Sequence, residues 1–319
     1  MDDIDYAIFR YLSPDGQVRF WASRRVVDPR VSAGEIAAQV GLSEAGVRAR
    51  LRTLRDQGFL RGRETWLNPS IFGASIVVAE IPIRDPGDAP PLLRELALVE
   101  GVVFARDILD ERDRAVRVYY VADVPSGTDR RTALLRRLAP TGQVRGPTPY
   151  WIPPCARTLT RLDWRIARAF RDRPEASQAE LAKAVHVSPK TAALRLHRLL
   201  DTRACWSALS SSSEEMPLAL LSIVLREGAE PRTVLRALAS IHPVWMPIAE
   251  DGMGSSPGSS VGVLAGLVPA EAPAALEQGL RRTLAIDGVA SARRTFALGS
   301  ASYPQWTDEQ LAAKLRTTG

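Results

Sequence analysis

The apolar positions fall into two kinds of spacing, and the two kinds alternate in the same order twice along the chain. Ile4, Ile8 and Leu12 recur every four residues, as do Leu162, Ile166 and Phe170, which predicts one apolar helical face at each place. A second helix is predicted after Ser32 and after Ser177, each three residues before a glutamate, Glu35 or Glu180. At that spacing the serine side chain and the glutamate can each satisfy the other's backbone N–H. Gly41 is a stop signal for the first of these helices. New caps follow at Ser43 and at Ser188, the latter with Pro189 as a favourable first helical residue. The third helices turn Val47, Leu51 and Leu54, or Ala192, Leu196 and Leu199, inward. Helix, brief turn, helix is the helix-turn-helix pattern.

After each such region the pattern becomes mixed. Residues 75–83 are apolar and β-branched between Gly73 and Pro86. An amphipathic helix over 90–100, strands over 102–109 and 116–121 around a charged turn at Asp110–Arg114, a helix over 128–138 and an extended segment over 142–151 follow. The second copy reads 218–226, 231–241, 244–250, 260–267, 270–285 and 288–298 in the same order. The order β-α-β-β-α-β is ferredoxin-like. The predicted fold class is α+β: two winged-helix-like helix-turn-helix domains and two ferredoxin-like domains in tandem. The expected boundaries are 1–66, 72–152, 158–208 and 216–300, with a C-terminal tail helix in 301–319.

The copies align residue by residue. A constant offset of 145 superposes Glu35, Ala37, Val40, Ser43, Arg50, Leu51 and Leu54 on Glu180, Ala182, Val185, Ser188, Arg195, Leu196 and Leu199. Upstream, Ile4-Asp5 and Ile8 match Leu162-Asp163 and Ile166 at 158. The 13-residue difference is an insertion in copy one between Leu12 and Glu35, where Pro14, Gly16 and Pro29 predict a loop or wing.

Charge adds a partner. Lys plus Arg is 42 against 36 Asp plus Glu, a formal +6 in 319 residues. Nearly all of it is arginine, whose fork suits phosphate and guanine edges. The third helix of copy one carries Arg48, Arg50, Arg52 and Arg55, with Arg61 and Arg63 after it; copy two has Lys190, Arg195, His197, Arg198 and Arg203. In such motifs the start of the third helix faces base edges and later basic residues meet phosphate. The expected contact set for double-stranded DNA is Ser43, Glu44, Arg48, Arg50, Arg52 and Arg55, with Ser188, Lys190, Thr191, Arg195 and Arg198. The two cysteines, Cys155 and Cys205, and the dispersed histidines His186, His197 and His242 form no metal or disulfide pattern. No cofactor, metal or catalytic residue is expected. Acidic residues open the chain and no apolar run reaches bilayer length, so a soluble cytoplasmic protein with no membrane partner is expected.

A helix-turn-helix joined to a βαββαβ domain resembles the Lrp/AsnC family of transcription regulators, whose second domain is called RAM. The matching residues are Ile4-Asp5, Ile8, Glu35–Gly41, Leu42-Ser43, Val47, Arg50, Leu51, Leu54 and Gly58, and then Asn68-Pro69 with Phe72-Gly73, which resemble the family's hinge. Copy two has Ser210–Ser213 in place of that hinge. The resemblance implies a sequence-specific DNA-binding regulator, modulated in some members by a small-molecule effector. The Gly-x-x-Asp-type turn of amino-acid-sensing members is replaced by Asp110-Glu111-Arg112-Asp113 in copy one and by the Gly/Ser-rich run 252–262 in copy two. Sirohaem decarboxylases resemble the same architecture, which makes a tetrapyrrole enzyme the alternative. Family chains pair through their RAM sheets. The two RAM domains here are expected either to pair within the chain or, as the favoured arrangement, to form a homodimer.

Overall fold

The computed structural model describes residues 4–5, 7–8, 32–58, 60, 62–110, 113–122, 130–150, 152, 154–155, 157–210, 218–241, 246–249, 263–269 and 273–317. The proposed insertion in copy one and the Gly/Ser-rich run 252–262 lie outside these residues.

The first helix-turn-helix consists of helical residues 4–5 and 7–8, α1 (Ala33–Val40) and α2 (Glu44–Asp56). Strand β1 (Gly62–Leu67) follows. The first RAM unit is β2 (Ser75–Ile83), α3 (Ala89–Glu95), β3 (Val102–Asp110), β4 (Arg114–Ala122), α4 (Arg130–Leu138) and β5 (Arg145–Tyr150). The second helix-turn-helix is α5 (Arg161–Asp172), α6 (Gln178–Val185) and α7 (Pro189–Asp201), followed by β6 (Cys205–Ser210). The second RAM unit is β7 (Leu218–Leu225), α8 (Pro231–Ile241), β8 (Met246–Ala249), β9 (Val263–Pro269), α9 (Pro273–Leu284) and β10 (Val289–Ser302). The last helix is α10 (Gln305–Thr317).

Backbone geometry reproduces the 145-residue offset. Gly41 ends α1 at φ 69°, and His186 ends α6 at φ 53°. Gly58 after α2 has φ 77°, and Arg203 after α7 has φ 60°. Two left-handed positions that favour glycine are kept in copy two by side chains that tolerate them less well. Both predicted capping boxes form, at Ser32 with Glu35 and at Ser177 with Glu180.

The two RAM units make one antiparallel eight-stranded sheet in the order β5-β2-β4-β3-β10-β7-β9-β8. Each half has the fourth-first-third-second order of a βαββαβ unit. The seam joins β3 to β10, from Thr295 opposite Asp110 to Ser302 opposite Phe104. This explains why β10 runs to Ser302 rather than ending near 298: its first half pairs with β7 and its second half with β3. The outer edges carry Pro147 and Pro149 on β5 and Pro247 on β8. Proline cannot donate to a ladder, so these edges resist further pairing. The two linker strands also pair, β1 antiparallel to β6, with Trp66 opposite Trp206.

Within the chain the sheets of the two units join edge to edge through β3 and β10, and the two linker strands pair with each other. The helix-bearing face of the first RAM unit buries Ile81, Leu92, Leu96, Val118, Tyr120 and Leu135. Its other face was expected to lie against a second sheet; it is covered instead by Phe72 and Trp306. The C-terminal helix α10 packs on the second helix-turn-helix: Leu311 is buried in its core, and Arg171 on α5 donates from Nε to Asp308 on α10 at 2.7 Å.

Candidate nucleic-acid interface

The reading helices start from serine caps. Ser43 Oγ accepts from Gly46 N at 3.1 Å, and Ser188 Oγ accepts from Thr191 N at 3.1 Å. The Ser188 and Thr191 hydroxyls also lie 2.9 Å apart. These side chains fix helix starts, a role worth about 1 kcal/mol per cap.

Two of the sequence-predicted contact arginines are held inside their own motifs. Arg50 donates from Nη1 to Asp5 at 2.7 Å, and Arg195 from Nη1 to Asp163 at 3.2 Å. The pair is duplicated with the fold, and it ties the first helix of each motif to the third. Asp163 is buried and sits inside the capping box of Thr160. Burial alone would raise its carboxyl; hydrogen bonds from the Thr160 side chain and backbone, with the Arg195 guanidinium, outweigh that and hold it below its ordinary value. Arg50 and Arg195, both in the expected contact set, are thus each engaged in an internal ion pair while remaining part-exposed. Sequence reasoning missed the two aspartates as partners, although Asp5 and Asp163 superpose in the repeat just as Arg50 and Arg195 do.

The remaining side chains differ between copies. On α2, Arg48, Arg52 and Arg55 are all exposed on one side, and Arg48 also donates from Nε to Glu44 at 3.2 Å. On α7, Lys190 is exposed and Arg198 half-exposed, but the positions equivalent to Ala49 and Arg52 hold Leu194, 57% exposed, and His197, which lies 3.4 Å from Asp201. Copy one thus presents three exposed arginines, one of them paired with Glu44, and copy two a face with fewer cations.

The motifs are also mounted differently. The second packs into a shared core with Leu67 of β1 and with α10. Phe72 of the hinge stacks on its Trp164 at 5.5 Å, and Asn68 donates from Nδ2 to Arg203 O at 2.8 Å. Among the described residues, the first motif closes on its own small core of Ile8, Ile36, Ala37 and Val47.

Beneath the β1–β6 ribbon lies a cavity of about 560 Å³, between the ribbon, the sheet face of the first RAM unit, α5 and α10. Aromatic rings run along one side: Trp66 to Phe104 at 5.8 Å, Phe104 to Tyr119 at 5.6 Å, and Tyr119 to Tyr150 at 5.4 Å. Burial pushes the Tyr150 hydroxyl well above its ordinary range. The charged side chains lining the cavity are Arg63, Glu64, Arg171, Asp172 and Asp308. Among the described residues no group of three His, Cys, Asp or Glu could hold a metal, and no helix is long and apolar enough to cross a membrane.

Comparison with known proteins agrees with this geometry. An AsnC-type helix-turn-helix domain matches residues 159–200, and a winged helix-turn-helix DNA-binding model matches residues 26–61. The HTH-type transcriptional regulator LrpA of Mycobacterium tuberculosis is 30% identical over 105 residues, which is 32% of this chain and 61% of that protein. The match therefore spans less than two thirds of the curated relative. Among solved structures, the siroheme decarboxylase NirDL aligns over 98% of this chain and 99% of its own at 13% identity and a TM-score of 0.48. AsnC of E. coli aligns over 44% of this chain and 93% of its own at 20% identity and a TM-score of 0.31. Residues 159–200 thus carry an AsnC-type helix-turn-helix domain and residues 26–61 a winged helix-turn-helix, and the chain is similar over about a third of its length to a regulator of the Lrp type.

Proposed function

We propose that the chain is a sequence-specific double-stranded DNA-binding transcription regulator in which the first helix-turn-helix reads the DNA and the second anchors it. The observation that carries this reading is the contrast between the two third helices. Arg48, Arg52 and Arg55 place three exposed arginines on α2, one of them paired with Glu44, whereas the α7 positions equivalent to Ala49 and Arg52 hold the exposed Leu194 and His197. Ser43 and Glu44 shape the start of α2 at the groove, and Lys190, Thr191 and Arg198 supply at most backbone contacts from copy two. A small-molecule effector would act through the ribbon that joins both motifs.

The competing reading is a tetrapyrrole enzyme. Its polycarboxylate substrate would need several converging cations, and the cavity offers two arginines against three acids. That balance favours the regulator. Genome-wide mapping of binding sites with the full chain, followed by gel shift on the recovered fragments, tests the proposal. Discrete sites with saturable shifts are expected. No enriched sites, together with Soret-region absorbance of the purified protein or turnover of sirohaem, would overturn it.

A further inference from the structure

The β1–β6 ribbon roofs the cavity, and strand alternation decides which of its side chains face inward. On β1, Thr65 turns toward α5, donating from Oγ1 to the Phe170 carbonyl at 3.1 Å, and Leu67 joins the core of the second motif. Glu64 and Trp66 leave the other face, where the Trp66 ring meets Phe104 of the sheet at 5.8 Å. Glu64 lines the cavity beside Trp66 and, among the described residues, makes no hydrogen bond or ion pair. The position opposite it on β6 is Ala208, so the ladder brings it no counter-charge. Arg63, the next residue back along β1, leaves the face of Thr65. The other charges of the lining are already matched, Arg171 with Asp308 and Asp172 with Arg168. One carboxylate is left over.

The walls suit a cation with a flat body. Trp66, Phe104, Tyr119, Tyr150 and Trp206 line the cavity and all stay half-exposed, whereas Phe170 and Tyr120 are sealed in cores. Ring faces attract cations and stack on planar groups. Phe104 already holds the guanidinium of Arg106, which does not line the cavity, 5.2 Å from its centre; the tryptophan and tyrosine rings are left to an occupant. A volume of about 560 Å³ lies within the range that takes a small organic molecule. We infer that the cavity binds a planar aromatic molecule carrying one ammonium group, with its ring among the aromatic walls and its charge beneath the ribbon against Glu64. Strands β1 and β6 follow the two third helices, so an occupant bears on the segment behind both motifs. That regulatory consequence rests on the DNA-binding reading above; the binding itself does not.

Calorimetric titration of the full chain with 2-naphthylmethylammonium, the neutral 2-naphthylmethanol and the anionic 2-naphthoate tests the inference. No DNA is present, so failure here leaves the DNA reading standing. The wild type is expected to bind the ammonium about tenfold tighter than the alcohol and to bind the carboxylate weakest. Glu64→Gln, at a half-exposed strand position, should bring ammonium and alcohol within about threefold. Trp206→Leu should weaken the ammonium and the alcohol alike, which locates the ring. Absence of saturable ammonium binding, an alcohol or carboxylate that binds the wild type as tightly, an undiminished ammonium preference in Glu64→Gln, or unchanged affinities in Trp206→Leu would overturn it.

Discussion

Replacing Arg195 with Ala separates a structural arginine from a DNA-reading one. Asp163 is only 2% exposed, while the Arg195 side chain is 26% exposed. Removing the arginine strands a buried carboxylate that keeps only its Thr160 hydrogen bonds. Breaking a fully buried pair costs about 3–5 kcal/mol, and partial solvent access to Arg195 discounts that to about 2–3 kcal/mol. With a urea slope of about 2 kcal/mol/M for a unit of this size, the unfolding transition of the second motif should move down by about 1–1.5 M. The pH dependence carries the sign. The Asp163 carboxyl is held below its ordinary 3.8, so the stability it confers is present above that value and is lost as pH falls through the lowered one. The gap between wild type and Arg195→Ala should therefore be full at pH 7 and close on acidification below pH 3.8. Urea titration followed by Trp164-region fluorescence at pH 7 and pH 3 measures both. An unchanged midpoint with weakened DNA binding would refute the internal role and return Arg195 to the interface.

Other outcomes follow from the same geometry. Leu196→Ala should cost about 3 kcal/mol in chemical denaturation, because the side chain is 1% exposed, while Leu51→Ala, only half-buried, should cost about half that. Equal losses would contradict the packing described for the first motif. Gly58→Ala, at φ 77°, should destabilise by about 1 kcal/mol, whereas Arg203→Gly at the equivalent φ 60° should be neutral or stabilising by thermal melting. Light scattering at micromolar concentration should give a mass near the 34.8 kDa of one chain, since the β3 and β10 edges and the linker strands pair internally; twice that mass would favour the homodimer.

Much of this architecture is legible in the residues, because each signal is local. Ser32 with Glu35 and Ser177 with Glu180 cap helices within one turn, and residues 75–83 read as a strand because their β-branched run is bounded by Gly73 and Pro86. What the sequence conceals is long-range. Nothing in residues 289–302 taken alone says that one strand will serve two sheets, because a ladder is built from backbone groups that every residue carries. The candidate interface shows the same limit. Arg50 and Arg52 look alike as exposed charges on one helix, and only the fold brings Asp5 within 2.7 Å of the first.

The central claim is that DNA is read by α2 and that α7 serves the architecture. Fluorescence anisotropy with a mapped site, at matched salt, compares Arg48→Ala/Arg52→Ala with Lys190→Ala/His197→Ala. The first pair should lose about 1–3 kcal/mol for each residue that reads a base edge, and its salt slope should fall by about one for each phosphate contact removed. The second pair should stay within about threefold of wild type, under 1 kcal/mol. The reverse ranking, or unchanged affinity in the Arg48→Ala/Arg52→Ala variant with its fold intact, would contradict the account.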